Sequence, residues 1–477
     1  MADTELLFMP ATQAAALIRR RALSPVELTR AVLDAIDREQ PRLNAFVTVL
    51  HDQAMQDART AEQAVMDGAS LPPLHGVPVH VKDQVDTAGI RTSHGSAIFA
   101  DNIPARDDIT VTRLRQAGTI LLGKTTMSEF GNKGVTEGPA FGVSRNPWDL
   151  SRTPGGSSGG GAAAVAAGLG PLGLGTDGAG SVRLPAACCG IVGVKQTLGA
   201  VPWEAAADTF ANNVYAGPMT RTVSDAAVML SLIAGPSDRD VQSLRGPGLA
   251  PVSPALIGGT LHGLRIGYIP RCCNARVQTE VEANTIASLD ALAARGAHVE
   301  EVSDTIDWME YPGRIMYQAG FMVSCSAYLP EWHNQMDPVL LAFIERGGTF
   351  SLKEFREAQF ARTRLFRAIQ ELFTRYDVLV TPTLTRTALP AQFDVANEQV
   401  EIDGEPSGIT RQGWSSYMYP FNLTGHPAVT IPSGFAADGL PTGVQLVGPW
   451  GRDMDLLRLG AMLEEDRPWG QHRPNTR

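Results

Sequence analysis

Three side chains have the types and settings to break an acyl bond together. Lys82 ends a valine-rich stretch, Leu74 to Gly89 (LHGVPVHVKDQVDTAG), in which Val77, Val79 and Val81 alternate with Pro78 and His80 as in a strand. Ser157 and Ser181 lie in one small-residue tract, Pro154 to Arg183, the first inside GGSSGGG and the second inside TDGAGS. A serine hydroxyl attacks a carbonyl only when a base takes its proton. A lysine drawn out of water favours its neutral amine and can serve as that base. A hydroxyl both donates and accepts, so a serine of the pair Ser157–Ser158 can relay a proton between Ser181 and Lys82. Gly178–Ala179–Gly180–Ser181 offers consecutive N–H groups with no bulky side chain, a nest suited to an oxyanion. The plain alternatives are a flexible Gly/Ser linker and a solvated strand end. Apolar flanks, and a tract that closes on the charged pair Asp177 and Arg183, argue against the linker.

Other chemistries find less support. His75, His94 and His426 stand outside any Ser–His–Asp order and read as structural. The nine histidines form no HExxH-like cluster, so neither a metal nor another cofactor is expected. The five cysteines, Cys188, Cys189, Cys272, Cys273 and Cys325, include two adjacent pairs and no CxxC, which argues for reduced thiols and a cytoplasmic location. A net charge of −10 with no basic stripe argues against nucleic acid as the main partner. No stretch is long and apolar enough for a membrane span, and the N-terminus carries no export signal. The chain of 477 residues, 44% hydrophobic, is long enough for a large core.

The elements that must position these residues alternate. Residues 10–70 read as helices, one starting at Ser24–Pro25 and one covering Asp52 to Met66. Strand, loop, helix and strand follow from Gly76 to Gly123, with the helix ending at Gly118. Thr125 to Trp148 is a long glycine-bearing connection of the kind that is usually functional. The segment from Gly159 to Leu169 starts a tightly packed helix. Gly190 to Val194 is a short strand, Lys195 to Met219 irregular, and Ser224 to Ala234 a helix. Residues 235–262 form a surface crossover. Leu264 to Ile269 and His298 to Val302 are strands around the helix Thr279 to Arg295. Residues 307–375 are mostly helical, YDVLVTPT is a buried strand, and 384–410 is an irregular flap candidate. A helix over Arg411 to Asn422, the strands PAVTIPSG and TGVQLVG, and a helix over Arg452 to Asp466 complete the chain. The pattern predicts an α/β fold, a sheet covered by helices on both faces.

Lys82 in GVPVHVKD, GGSSGG at Gly155–Gly160 and TDGAGSVR at Thr176–Arg183 resemble the amidase signature family in type, order and spacing. The resemblance extends to ALSPVELTRAVLDAIDREQPRLNAF, GTILLGKTTMSEFGN, FGVSRNPWD, CCGIVGVKQT, YDVLVTPT and FNLTGHPAVTIPSG, almost the whole chain. It implies a large mixed twisted β-sheet sandwiched between α-helices, in one domain over residues 1–477. Within it, 1–70 would be N-terminal helices, 71–235 the catalytic core, and 305–350 and 384–420 the substrate-pocket segments. It implies a Ser–Ser–Lys triad with Ser181 as nucleophile, Ser157 as bridging serine and Lys82 as base, acting through a covalent acyl-enzyme. The amides of Gly178, Ala179, Gly180 and Ser181 would form the oxyanion hole. Thr176 and Asp177 would hold that loop, Ser158 and Arg183 would support it, and the peptide bond before Ser157 would be cis. Backbone around Gly131 and Asn132 would face the substrate.

Phe210, Tyr215 and Tyr317, with Trp203, Trp308, Tyr311, Met316 and Phe321, would supply an aromatic and Met-rich wall for an apolar substrate; the plain alternative is that they only pack the core. Two departures from the family stand out. Lys195–Gln196–Thr197–Leu198–Gly199–Ala200 replaces its Arg-containing KPTxGR, and Asn212–Asn213–Val214–Tyr215–Ala216–Gly217–Pro218 replaces the SLDQ before the Gly-Pro turn of amidotransferase subunits. The expected partner is therefore a small-molecule amide or carbamate, taken by a monomer or homodimer. The alternative is a glutamine amidohydrolase subunit of a tRNA-dependent amidotransferase.

Overall fold

Parallel strands need covered crossovers, and this chain supplies them. The computed structural model describes residues 3–253, 256 and 259–474. Eleven strands form one mixed sheet. In spatial order they are Phe46–Val49, Ile120–Thr125, Pro78–Lys82, Leu172–Asp177, Tyr215–Thr220, Val192–Lys195, Ala428–Phe435, Pro441–Val447, Val378–Pro382, Arg265–Tyr268 and His298–Glu301. Pro78–Lys82 lies between Ile120–Thr125 and Leu172–Asp177 and runs parallel to both. Lys82 and Thr176 therefore leave the sheet at the same end, the carboxyl end where open α/β sheets place their sites.

Local chemistry explains the flanking helices. Ser24 starts Pro25–Leu43: its hydroxyl accepts the Val26 and Glu27 N–H groups at 3.0 and 3.1 Å, a cap worth about 1 kcal/mol. Asp108 caps Ile109–Gln116 through the Thr110 N–H at 2.8 Å. The helix Gly159–Ala166 is buried along its whole length. A Cβ on Gly160 would lie 2.5 Å from the Ala45 carbonyl oxygen, so only glycine lets this helix press on the neighbouring backbone.

Two large apolar clusters hold the sheet. One gathers Ile18, Ile36, Val79, Val81, Leu122, Leu174, Leu446 and Leu456. The other gathers Val182, Leu184, Cys188, Cys189, Trp414, Tyr417, Met418 and Phe421. A smaller one, around Cys325, Met336, Leu340 and Ile344, joins the helices Glu310–Cys325 and Pro338–Gly347. No helix among the described residues is long and apolar enough to cross a membrane.

Three expectations are corrected. Phe46–Val49, inside the region read as helical, is the outermost strand beside Ile120–Thr125. Tyr215–Thr220, inside the segment read as irregular, is a central strand. Its Gly217 and Pro218 disguise it, yet a Cβ on Gly217 would lie 2.0 Å from the Val194 carbonyl oxygen, so the pairing demands glycine. The helix expected over 411–422 is two short pieces, Thr410–Gly413 and Tyr419–Thr424. The segment 384–410 is mostly irregular, and Ala388, Leu389, Phe393, Val400 and Ile402 within it are buried. It also carries a small ladder of Glu401–Ile402 with Glu405–Pro406.

Candidate active site

At the carboxyl end of Pro78–Lys82 the lysine enters the protein, not the solvent. Lys82 is fully buried. Its Nζ lies 2.7 Å from Ser157 Oγ and 2.8 Å from Thr176 Oγ1. Burial lowers its pKa from 10.5 to about 7, with the Asp177 carboxylate opposing the shift. The peptide bond between Gly156 and Ser157 is cis. Ser158 follows on the same turn, and its hydroxyl donates to the Thr176 carbonyl at 3.2 Å. The Ser158 N–H donates to the Ser181 carbonyl at 3.3 Å, which ties the two serine turns together. Ser181 is only partly buried, and among the described residues no hydrogen-bond partner meets its hydroxyl.

The turn between Asp177 and Arg183 is built on a buried ion pair. Arg183 Nε and Nη2 donate to Asp177 Oδ2 and Oδ1 at 2.9 and 3.0 Å, with both side chains fully buried. Burial by itself raises the Asp177 pKa, but the Arg183 guanidinium and the hydrogen bonds from Arg183 and Asn422 hold it well below the usual carboxylate range. Arg183 also donates to Gln445 Oε1 at 2.7 Å and to Asn422 Oδ1 at 2.6 Å. Asn422 returns its amide to the Asp177 carbonyl and Oδ1, both at 2.8 Å. Each side-chain nitrogen and oxygen of the pair therefore has a hydrogen-bond partner, as a buried charge requires.

The same pair alters the proposed nest. The Gly180 N–H donates to Asp177 Oδ1 at 2.7 Å, so it is spent within the turn. The N–H groups of Gly178, Ala179 and Ser181 have no partner among the described residues. Gly180, at φ +115°, packs on Met418; a Cβ there would lie 2.6 Å from that side chain.

Of the expected substrate-facing residues, three converge. Gly131, at φ +76°, abuts Ser157: a Cβ on it would lie 3.1 Å from Ser157 Oγ. The Tyr317 hydroxyl reaches down from Glu310–Cys325 to the Gly131 and Asn132 carbonyls, both at 3.1 Å. The Asn132 amide donates to Asp337 Oδ1 at 3.1 Å, which joins this loop to the cap of Pro338–Gly347. The other two lie elsewhere. Phe210 is 80% exposed. Tyr215 is fully buried within the sheet, its hydroxyl on the Asn422 carbonyl at 2.8 Å and its ring 3.8 Å from Lys195 Nζ, so it supports the site from behind. Trp203 and Trp308 are likewise core residues, and Tyr311 is exposed.

Tyr317→Phe removes the one donor shared by two carbonyls of the loop over Ser157. It is expected to lower kcat/KM about fivefold, equivalent to about 1 kcal/mol. An unchanged kcat/KM would free that loop from Tyr317.

Sequence reasoning passed over Gln84, Asn422, Gln445 and Arg411. Gln84 Oε1 accepts the Thr176 hydroxyl at 2.6 Å; its only signal is its place two residues beyond Lys82. Asn422 lies inside the FNLTGHPAVTIPSG motif. Arg411 stacks over the Tyr419 and Tyr317 rings at 4.9 and 5.4 Å, without an ion pair among the described residues. The histidines serve the scaffold as expected: His75 Nε2 meets the Ala61 carbonyl at 2.9 Å and His426 Nδ1 meets Thr424 Oγ1 at 2.9 Å. Among the described residues no group of His, Cys, Asp and Glu could hold a metal ion.

A family model described as Amidase matches residues 27–457. An acylamidase of Rhodococcus erythropolis is 36% identical over 479 residues, covering 99% of this chain and 98% of that protein. A glutamyl-tRNA(Gln) amidotransferase subunit of Chloroflexus aggregans is 33% identical over 499 residues, covering 99% of both. The solved structure of a bacterial aryl acylamidase, one of the amidase signature enzymes, superposes with a TM-score of 0.88 at 29% identity over 97% of each chain.

Proposed function

This chain belongs to the amidase family of amide-cleaving hydrolases, and from that premise we propose that it cleaves the acyl C–N bonds of amides, anilides and carbamates through a Ser–Ser–Lys relay and a covalent acyl-enzyme. The observation that carries the mechanism is the 2.7 Å approach of a fully buried Lys82 to Ser157 Oγ, with no histidine or carboxylate among the described residues bonded to either. Neutral Lys82 takes the Ser157 proton as Ser157 takes that of Ser181. Ser181 Oγ then attacks the carbonyl carbon, and the carbonyl oxygen becomes an oxyanion held by the free N–H groups of Gly178, Ala179 and Ser181. The proton on Lys82 returns through Ser157 to the leaving nitrogen, and the C–N bond breaks. Water then gives a proton to the same relay and its oxygen to the acyl carbon; the relay returns that proton to Ser181 Oγ as the acyl–Oγ bond breaks, which releases the acid and restores Ser181. Thr176, Asp177, Ser158 and Arg183 hold the two turns in register. Residues 1–477 act in this reading as one catalytic domain.

A carbamate presents the same carbonyl as an amide and loses its amine through the same relay. Apolar side chains lie beside the oxyanion turn, together with one polar one, the Asn213 amide, which donates to the Gly178 carbonyl at 3.4 Å. Met418 packs on Gly180, and a Cβ on Gly178 would lie 3.5 Å from Val214. Tyr317 stands in contact with Phe321 and Phe343. Such walls favour aryl or alkyl groups. Aryl anilides and N-aryl carbamates are therefore expected to exceed glutamine in kcat/KM, measured on a matched panel with a carboxamide and an ester. Two observations favour the other reading, a glutamine amidohydrolase subunit: the similarity to an amidotransferase subunit, and the unpaired Arg411 stacked on Tyr317, a cation able to meet a substrate carboxylate. Preference for glutamine over every aryl substrate would overturn the aryl assignment in its favour.

A further inference from the structure

A neutral amine has two N–H groups and one lone pair, and only the lone pair can take a proton. The Lys82 nitrogen has two oxygen neighbours, Ser157 Oγ and Thr176 Oγ1. Both are hydroxyls, and either can donate or accept. Without a further constraint the lone pair can be captured by Thr176, which leads nowhere. The half-buried Gln84 removes that freedom. Its Oε1, an acceptor only, lies 2.6 Å from Thr176 Oγ1 and commits the Thr176 proton. Thr176 must then accept from Lys82, and the Lys82 lone pair is left for Ser157. The same oxygen faces the loop over the bridging serine: a Cβ on Gly131 would lie 4.0 Å from it.

We propose that Gln84 is a positioning residue that, through Thr176, turns the Lys82 lone pair toward Ser157. The inference rests on the Ser–Ser–Lys reading of the site. The other charges around Lys82 are placed as follows. Asp177, on the neighbouring strand, is paired with Arg183. Asp83 Oδ2 accepts the Ser93 and Gly95 N–H groups at 3.1 and 3.3 Å, and its buried Oδ1 has no hydrogen-bond partner among the described residues. Lys124 lies on the other neighbouring strand and donates to Thr87 and Thr92. On the loop over Ser157, Lys133 pairs with Glu137 and Asp337, and Glu129 is bonded by Ser96 and the Asp337 N–H. The helix Gly159–Ala166 brings no titratable group.

The test compares kcat–pH profiles of Gln84→Leu and Gln84→Glu on one anilide, with Lys82→Met as control. In Gln84→Leu the Thr176 proton is free to engage the amine. Its plateau kcat should fall about tenfold or more, with KM little changed. Its acidic limb should move to lower pH, because a hydrogen bond to the amine favours the neutral form. In Gln84→Glu the carboxylate still accepts the Thr176 proton, so the plateau should stay near that of the parent. Its acidic limb should move to higher pH, because a nearby negative charge favours the ammonium. Gln84→Leu coinciding with the parent would overturn the proposal, and so would equal loss in both variants, which would make side-chain shape decisive. Full activity in Lys82→Met would instead remove the Ser–Ser–Lys reading beneath it.

Discussion

Ser181→Ala should lose turnover on the order of 10⁶-fold, the loss typical when an enzyme's nucleophile is deleted, while the protein unfolds at nearly the same temperature. Both halves of that expectation come from the position of Ser181. It ends a turn whose Gly178, Ala179 and Ser181 N–H groups are unclaimed, and it is partly exposed to a small molecule. Its hydroxyl bonds to nothing among the described residues, so truncation breaks no contact and should cost at most about 0.5 kcal/mol. Ser157 differs in both respects: it is buried and joined to Lys82. Mass spectrometry after treatment with an alkyl phosphonyl fluoride should place the adduct on Ser181. An adduct on Ser157 would exchange the roles of the two serines.

Lys82, Ser157 and Ser181 are legible in the sequence because each sits in a local pattern, an alternating valine strand or a glycine turn, and local patterns survive without a structure. The Ser24 cap is legible for the same reason. What was hidden depends on distant contacts. Gly217 and Pro218 look like a turn, yet they form a central strand because Val194 approaches too closely for any side chain at Gly217. Asn422 and Gln445 carry no signal by themselves; they matter because they close the shell around a guanidinium more than 200 positions away in the chain. The aromatic residues were harder still, since composition cannot tell a wall from a core. Tyr317 meets the loop over Ser157, whereas Tyr215 and Trp203 lie inside the fold and Phe210 lies on its surface. Even within the recognised turn, the Gly180 N–H is spent because the carboxylate of Asp177 folds back beneath it.

Lys82→Met should combine loss of activity with a gain in stability. The base must be neutral, so kcat/KM of the parent should rise as pH increases toward about 7 and then level off. The variant has no group to titrate there, and its residual rate should lack that limb. Linkage sets the sign of the stability change. The folded protein holds Lys82 near 7, whereas the unfolded chain holds it near its ordinary 10.5. Above both values neither state carries the proton. Between them the unfolded state binds more protons, so stability falls as pH drops from about 10.5 to about 7 and is level, for this group, below that. At about 1.4 kcal/mol per pH unit, burying Lys82 at neutral pH costs on the order of 5 kcal/mol before its hydrogen bonds to Ser157 and Thr176 offset part of it. Methionine is close in length and carries no such cost. Chemical denaturation at pH 7 and pH 10 should therefore find Lys82→Met at least as stable as the parent at pH 7, with the advantage shrinking at pH 10. A variant that is inactive but clearly less stable at pH 7 would mean that Lys82 holds the turns together as an ammonium, and that the base lies elsewhere.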